Sequence, residues 1–263
     1  MPFADFHTHT RYSDGNASPE AMVRAALRAG FSALGISDHS PTPHDLSYCM
    51  RPEALEGYLS EIAALKRKYA GRLEIYAGLE KDAFSRVDPA RFDYLIGSVH
   101  YLGAPDAWYE TDDRDSQALF LSREGDRMEL ARRYYEAVAR HAETGAFQVQ
   151  GHFDVIAKYG LYDDPDPAYR DLALSALDAV LEKVPFLEVN TGAMARGLRE
   201  VPYPDLFLLR RAAEKGARPV LSSDAHRPEN LAFAFDRAVE VLRAAGFASV
   251  WRLSRGAWTE VPL

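Results

Sequence analysis

Cysteine is almost missing from this chain. Its 263 residues include one, Cys49, which excludes an intrachain disulfide and a thiolate-rich zinc site. Excess positive charge is missing too. Lys and Arg total 31 against 39 Asp and Glu, a formal charge of −8. That balance argues against a broad nucleic-acid or anionic-membrane surface, which needs basic patches. No apolar run approaches membrane-spanning length. The start, Met1-Pro2-Phe3-Ala4-Asp5-Phe6-His7, lacks the basic segment and apolar stretch of a secretory signal. A cytoplasmic protein is therefore expected, with no membrane partner and no nucleic-acid partner; the oligomeric state is not legible. Nucleotide-loop signatures are also lacking: no Gly-x-Gly-x-x-Gly follows the first apolar run, and no Walker-type lysine loop occurs. No low-complexity linker or shift in composition divides the chain, so one domain over residues 1–263 is expected.

What is present is an alternation. Short apolar runs at Phe3–Phe6, Ala33–Ile36, Leu73–Leu79, Tyr94–Val99, Phe147–Val149, Phe186–Val189 and Pro219–Leu221 alternate with longer helical patterns. Ser18-Pro19-Glu20 reads as N-cap, first-turn proline and first-turn acid, opening a helix that Gly30 ends. Seven such strand–helix repeats predict parallel α/β architecture, closed as a barrel or open as a doubly wound sheet. The stretch Ala104–Gly125 is polar and long for a connection, either a lid or a solvated insertion.

The histidines choose between the two closures. Six of the eight fall just after predicted strands: His7 and His9, His39, His100, His152 and His226. Glu80 and Asn190 stand at the two remaining strand ends, and Asp224 shares the last end with His226. In a barrel those ends converge on one face, where the active sites of such barrels lie. A convergent site therefore favours closure, with seven runs, as a (β/α)7 TIM-like barrel. His7-x-His9 on a strand end puts both imidazoles on one side. Imidazole and carboxylate without thiolate suit Zn, Mn or Fe. Six histidines with Asp14, Glu80 and Asp224 make nine candidate ligands. One catalytic ion takes three or four protein ligands, so nine imply more than one ion, with a carboxylate such as Glu80 bridging. Clustered metals stabilise the attacking and leaving oxygens of a displacement at phosphorus. His44 and His141 fall in a loop and a helix and read as non-ligands; Asp38 and Asp154 read as partners of neighbouring imidazoles or as caps; Asp163–Asp166 reads as a turn before a helix.

The ordered set resembles the polymerase and histidinol phosphatase (PHP) family. It comprises His7-x-His9 with Ser13-Asp14-Gly15, Ser37-Asp38-His39, Glu80, Ser98-Val99-His100, Gly151-His152 and Ser223-Asp224-Ala225-His226, across nearly the whole chain. The resemblance implies a distorted seven-stranded barrel with three divalent ions. His7, His9, Glu80 and Asp224 would hold the first; Glu80, His100 and His152 the second; Asp14, His39 and His226 the third. Glu188-Val189-Asn190-Thr191-Gly192-Ala193, Arg196-Gly197-Leu198-Arg199 and Pro202-Tyr203-Pro204 look like the histidinol-phosphate phosphatase branch. That implies hydrolysis of L-histidinol phosphate, a small phosphate ester, late in histidine biosynthesis. Glu80, Asp224 and His226 become the candidate catalytic residues, His226 or a water being a candidate proton donor. Arg196 and Arg199, then Lys158 and Arg11, are candidate phosphate contacts. Tyr101, Asp154 and the Ala104–Gly125 stretch are candidates for reading the amine and imidazole. Competing readings are a PHP-type phosphoesterase acting on nucleotides or other esters, a non-catalytic metal-bound module, and an amidohydrolase barrel. The last normally carries a metal-bridging lysine after a middle strand, which these strand ends lack.

Overall fold

The computed structural model describes residues 3–43, 47–104, 107–162 and 167–263. His44 and Asp163–Asp166 lie outside the described residues. Strand β1 (Ala4–Asp5) leads through helix α1 (Pro19–Arg28) to β2 (Ala33–Ile36), and α2 (Leu55–Lys68) leads to β3 (Glu74–Ala77). After β4 (Glu80–Asp82) and β5 (Ile96–Ser98) comes a hairpin, β6 (Tyr101–Ala104) and β7 (Ala107–Glu110). Helices α3 (Arg114–Arg123) and α4 (Arg127–Glu143) follow, then β8 (Val149–Gln150), α5 (Pro167–Leu181) and β9 (Phe186–Asn190). The chain ends with α6 (Gly192–Ala195), α7 (Leu206–Glu214), β10 (Arg218–Ser222), α8 (Phe235–Ala245) and a hairpin of β11 (Ser249–Ser254) and β12 (Ala257–Pro262).

The helix starts follow from capping chemistry. Ser18 Oγ accepts from Ala21 N at 3.3 Å, with Pro19 opening α1. Asp126 accepts from Met128 N and Glu129 N at 2.9 and 3.0 Å to open α4. Each satisfies amides that a helix N-terminus leaves without partners. No helix among the described residues is long and apolar enough to cross a membrane.

The sheets are parallel apart from the two hairpins. One ladder runs β1-β2-β3 and the other β10-β9-β8-β5-β4. The expected architecture would pair seven strands around one ring. The described strands instead make two ladders, which isolated parallel bridges join at Thr8–Ala225 and His39–Glu80. One seam has a clear cause. The third apolar run breaks at Gly78, where a Cβ would stand 2.2 Å from Tyr94 Cζ. Only glycine lets the Tyr94 ring lie that close to the backbone. The chain steps across there, β3 ends at Ala77, and Glu80 opens a strand of the second ladder.

One buried cluster collects Phe6, Ala33, Tyr76, Ile96, Val149, Phe186 and Val220, a side chain from each of seven parallel lines when β3 and β4, either side of Gly78, count as one line. β4 itself contributes none, and Trp251 and Trp258 of the last hairpin pack against the cluster. The larger cluster lies between the ladders and the helices, through residues such as Met22, Ile62, Tyr135, Leu177, Leu208 and Leu242.

His141 is turned inward from α4, its Nε2 3.2 Å from Lys81 O and its ring 4.6 Å from the Phe147 ring. Burial, then the Lys81 charge, push it down to about 4. Unfolded, it binds a proton near pH 6.5. Its folded form therefore loses stability as pH falls from 6.5 to 4, by about 3 kcal/mol. Urea unfolding of wild type and His141→Gln at pH 7 and pH 4 tests this, since the comparison cancels the other histidines. The stability difference should move by that amount in favour of His141→Gln at the lower pH; a pH-independent difference would show that His141 does not titrate there.

Candidate metal centre

The strand ends bring all nine candidate ligands together. Glu80, buried at the start of β4, is the hub. Its Oε1 faces His152 Nε2 at 2.8 Å and His100 Nε2 at 3.2 Å. Its Oε2 faces His39 Nδ1 at 2.8 Å, His7 Nε2 at 3.2 Å and His9 Nε2 at 3.7 Å. The two carboxylate oxygens thus address two separate groups of imidazoles, as a bridging ligand would. Asp224 Oδ1 lies 3.1 Å from His9 Nε2 and 3.8 Å from His7 Nε2. At the mouth, Asp14 Oδ2 is 3.0 Å from His226 Nε2, and Asp14 Oδ1 is 3.8 Å from His39 Nε2.

Among the described residues, three overlapping sets have ligand atoms within 4.8 Å of one another: His9, Asp14, His39 and His226; His7, His9 and Asp224; His39, Glu80 and His100. This shifts the expected grouping in two ways. His9 also belongs with the mouth set, and His39 also reaches Glu80. His152 joins through its contact with Glu80.

The buried atoms test whether the set fits divalent ions. His9 Nδ1 and Nε2, His7 Nε2, His152 Nδ1 and Glu80 Oε2 are buried without a well-formed hydrogen bond. Buried polar atoms are normally satisfied. The His9 ring lies 4.2 Å from that of His226 and 4.4 Å from that of His39, so nitrogen lone pairs crowd one another. A cation between Glu80 Oε2 and the Nε2 atoms of His7 and His9, 3.2 and 3.7 Å from that oxygen, would satisfy those three at once, and a donor set of imidazole nitrogen and carboxylate oxygen suits Zn, Mn or Fe.

The metal-free charges agree. Burial opposes charge on His7, yet the carboxylates of Glu188, Glu80 and Asp224 hold its pKa well above the usual range. Two residues on, burial and then the imidazoles of His226 and His39 push His9 down to about 3. Burial also opposes charge on Glu80, but His39, His7 and His100 hold it well below the carboxylate range. Asp224 is held down likewise, by Arg196 and His7.

The loops around this centre are held by carboxylates. Asp224 sits at φ 50°, a left-handed conformation. Gly192 gives it room, since a Cβ there would stand 2.7 Å from Asp224 Cβ. Asp5 pins the same turn by accepting from Ser223 N at 3.1 Å and from the Ser223 hydroxyl. Asp38, expected beside an imidazole or as a cap, accepts from Thr10 N and Thr10 Oγ1 at 2.7 Å and from Ser13 Oγ at 2.5 Å. It braces the loop that carries Asp14. Asp154 accepts from Asp205 N at 3.0 Å and so ties down the chain before α7.

A cavity of about 710 Å³ opens over the centre, reaching Asp14, His39, Glu80, His100, His152, Asp224 and His226. Its outer wall carries Lys158 and Arg196 together with Tyr48, Tyr159, Glu110, Asp112, Asp113 and Glu229. Arg196 Nη2 is 3.0 Å from Asp224 Oδ2, and Lys158 Nζ is 2.9 Å from Asp112 Oδ2. The Ala104–Gly125 stretch supplies part of this wall as the end of the β6–β7 hairpin and the start of α3. Thr111 Oγ1 anchors it on Val99 O and Gln117 Nε2 on Ile156 O.

Four expected substrate contacts do not line the cavity. Arg11 is exposed and donates to Asn16 O. Tyr101 is buried, stacked on Tyr48. Arg199 turns away to pair with Asp205 and cover the Tyr203 ring. Asp154 lies beneath that pair. Residues to which the sequence assigned no role of their own are Asp5, Glu188 and Asp82. Asp5 and Glu188 are buried acids within apolar runs, which is itself a signal, because buried acids are rare unless paired; Asp82 lies beyond the third run and carried none.

A model of the PHP domain matches residues 5–192. A chain of Deinococcus radiodurans named "Probable histidinol-phosphatase" is 37% identical over 262 residues, covering 94% of this chain and 95% of that one. The histidinol-phosphatase of Bacillus subtilis is 25% identical, covering 91% of this chain and 99% of its own. In fold, the chain is similar to the histidinol phosphate phosphatase of Lactococcus lactis subsp. lactis, solved with zinc, L-histidinol and phosphate. The TM-score is 0.74 at 23% identity, covering 97% of this chain and 98% of that one. With a family model spanning most of its length and a relative above one-third identity over almost all of it, this chain belongs to the PHP family.

Proposed function

We propose that this chain hydrolyses L-histidinol phosphate to L-histidinol and phosphate, using divalent metal ions held by His7, His9, Asp14, His39, Glu80, His100, His152, Asp224 and His226. The observation that carries the reading is the hub of Glu80. Five imidazoles surround one buried carboxylate at the floor of a cavity, in a chain similar along nearly its whole length to histidinol-phosphatases. Three ions, each Zn, Mn or Fe, match the three overlapping ligand sets. Such ions, when bound, polarise phosphate oxygens and acidify water.

The protein's own groups do the rest. Arg196 and Lys158 stand on the cavity wall as cations beside the centre, suited to phosphate oxygens that lie between them and the ligand set. Glu110, Asp112, Asp113 and Glu229, with Tyr48 and Tyr159, line the outer part. They favour an ester whose alcohol portion is cationic and aromatic, as histidinol is. His226 keeps its Nε2 on Asp14 and its Nδ1 on Asp224 O at 2.9 Å, the posture of a ligand. The same reading takes residues 1–263 as one domain and the seven parallel lines as a distorted barrel. Its support is the interior cluster to which each line contributes.

Phosphate release by the zinc- or manganese-loaded chain tests the function. L-histidinol phosphate should exceed nucleotides and simple phosphomonoesters in kcat/KM by at least about 10²-fold, because a wrong ester leaves polar wall groups without partners. Chelation should abolish turnover. A flat substrate profile would overturn the assignment to histidinol phosphate.

A further inference from the structure

Behind the metal centre, Glu188 is completely buried on β9 and does not line the cavity. Four donors converge on it. Oε1 takes His7 Nδ1 at 2.5 Å and Ser222 Oγ at 2.5 Å. Oε2 takes His152 N at 2.6 Å and Asn190 Nδ2 at 3.1 Å. The orientation of the Asn190 amide is fixed independently, since its Oδ1 accepts from Gly192 N at 2.8 Å. One side chain thus ties together the loops after β1 and β8 and the ends of β9 and β10.

We infer that Glu188 is a positioning residue that sets the tautomer of His7 and so presents the Nε2 lone pair of His7 to the metal centre. The inference rests on the proposed function. An ionised carboxylate only accepts hydrogen bonds. It therefore keeps a His7 proton on Nδ1, so that Nε2, 3.2 Å from Glu80 Oε2 and without a hydrogen bond, is the nitrogen that gives up its proton when a cation binds. Partners of this kind fix the ring and raise the basicity of a ligating imidazole. Two of the four donors, His152 N and Asn190 Nδ2, cannot reverse their roles. An amide in place of the carboxylate must turn its oxygen toward those two. Its NH2 then points at His7 Nδ1 and Ser222 Oγ. His7 Nδ1 would have to accept, its proton would move to Nε2, and the lone pair facing the centre would be lost.

The test is Glu188→Gln in the full chain, read by zinc uptake and by nitrogen NMR of the His7 ring. Zinc affinity at one site should fall roughly 10- to 100-fold, the cost of losing an outer partner. Turnover should recover at high zinc. In the zinc-loaded wild type the His7 ring should show protonated Nδ1 and metal-bound Nε2. That measurement needs no variant, so it decides the matter even where Glu188→Gln fails to fold. Metal-bound Nδ1 in wild type, or unchanged zinc affinity in Glu188→Gln, overturns the role of Glu188. A wild type that takes up zinc and hydrolyses the ester while Glu188→Gln behaves identically removes this inference and leaves the functional reading standing. A wild type that takes up neither zinc, manganese nor iron removes both.

Discussion

Glu80→Ala is expected to abolish phosphate release and to strip the chain of most of its divalent metal. Loss of an outer partner costs roughly 10- to 100-fold, and Glu80 touches the centre itself, so the loss should exceed that range. The geometry explains why. Both oxygens of Glu80 are engaged, one by His100 and His152 and the other by His7, His9 and His39. Removing them leaves five imidazoles around an empty space, with no carboxylate to join the inner and outer groups. Metal analysis after equilibrium dialysis, run beside the phosphate assay, checks the prediction. Glu80→Gln separates charge from shape. It keeps the volume, and Ser98 Oγ, which donates to Glu80 Oε1 at 2.7 Å, keeps an acceptor. Its failure to hold metal would identify charge as the requirement. Full activity at unchanged metal content in Glu80→Ala would refute the bridging role.

Much of this centre could be read from residue order, because its ligands obey two local rules. Strand side chains alternate, so His7 and His9 share a face. Parallel strands joined by helices finish at one end, so residues after each strand meet. Neither rule depends on side-chain rotamers, which is why the nine candidates do converge. The start of α1 was legible for a similar reason, as the Ser18 cap acts within three residues.

What sequence order did not reveal depends on long-range packing. The break at Gly78 is set by Tyr94, sixteen positions later, and nothing within the third apolar run announces it. Asp5 and Glu188 look like interruptions of apolar strands until Ser223, Ser222 and His152 are seen to converge on them. The hairpin's second strand, Ala107–Glu110, falls in the stretch read as a lid or a solvated insertion, yet it buries Tyr109 and leads to Asp112 on the cavity wall. Long side chains were the least legible. Arg196 and Arg199 lie three residues apart on one loop, and only their rotamers decide which one faces the site.

Those two arginines give the second large prediction, because the structure separates them. Arg196→Ala should lower kcat/KM on the order of 10- to 100-fold, the value of a hydrogen bond to a charged group at about 1.5–3 kcal/mol. Metal content should hold, because bound ions take over the neutralisation of Asp224 that Arg196 provides in the metal-free chain. Arg199→Ala should do the opposite. Its guanidinium pairs with Asp205, covers Tyr203 at 4.5 Å, and sits over the buried Asp154. Losing it leaves acids with fewer partners and should cost about 1–3 kcal/mol of folding stability, with kcat/KM almost unchanged. Urea unfolding and steady-state kinetics on both variants give four numbers, and the proposal requires them to cross. A kinetic defect in Arg199→Ala with normal stability would put that residue, not Arg196, on the phosphate. Two silent variants would leave Lys158, beside Asp112, and Arg227 as the cations on the cavity wall to test.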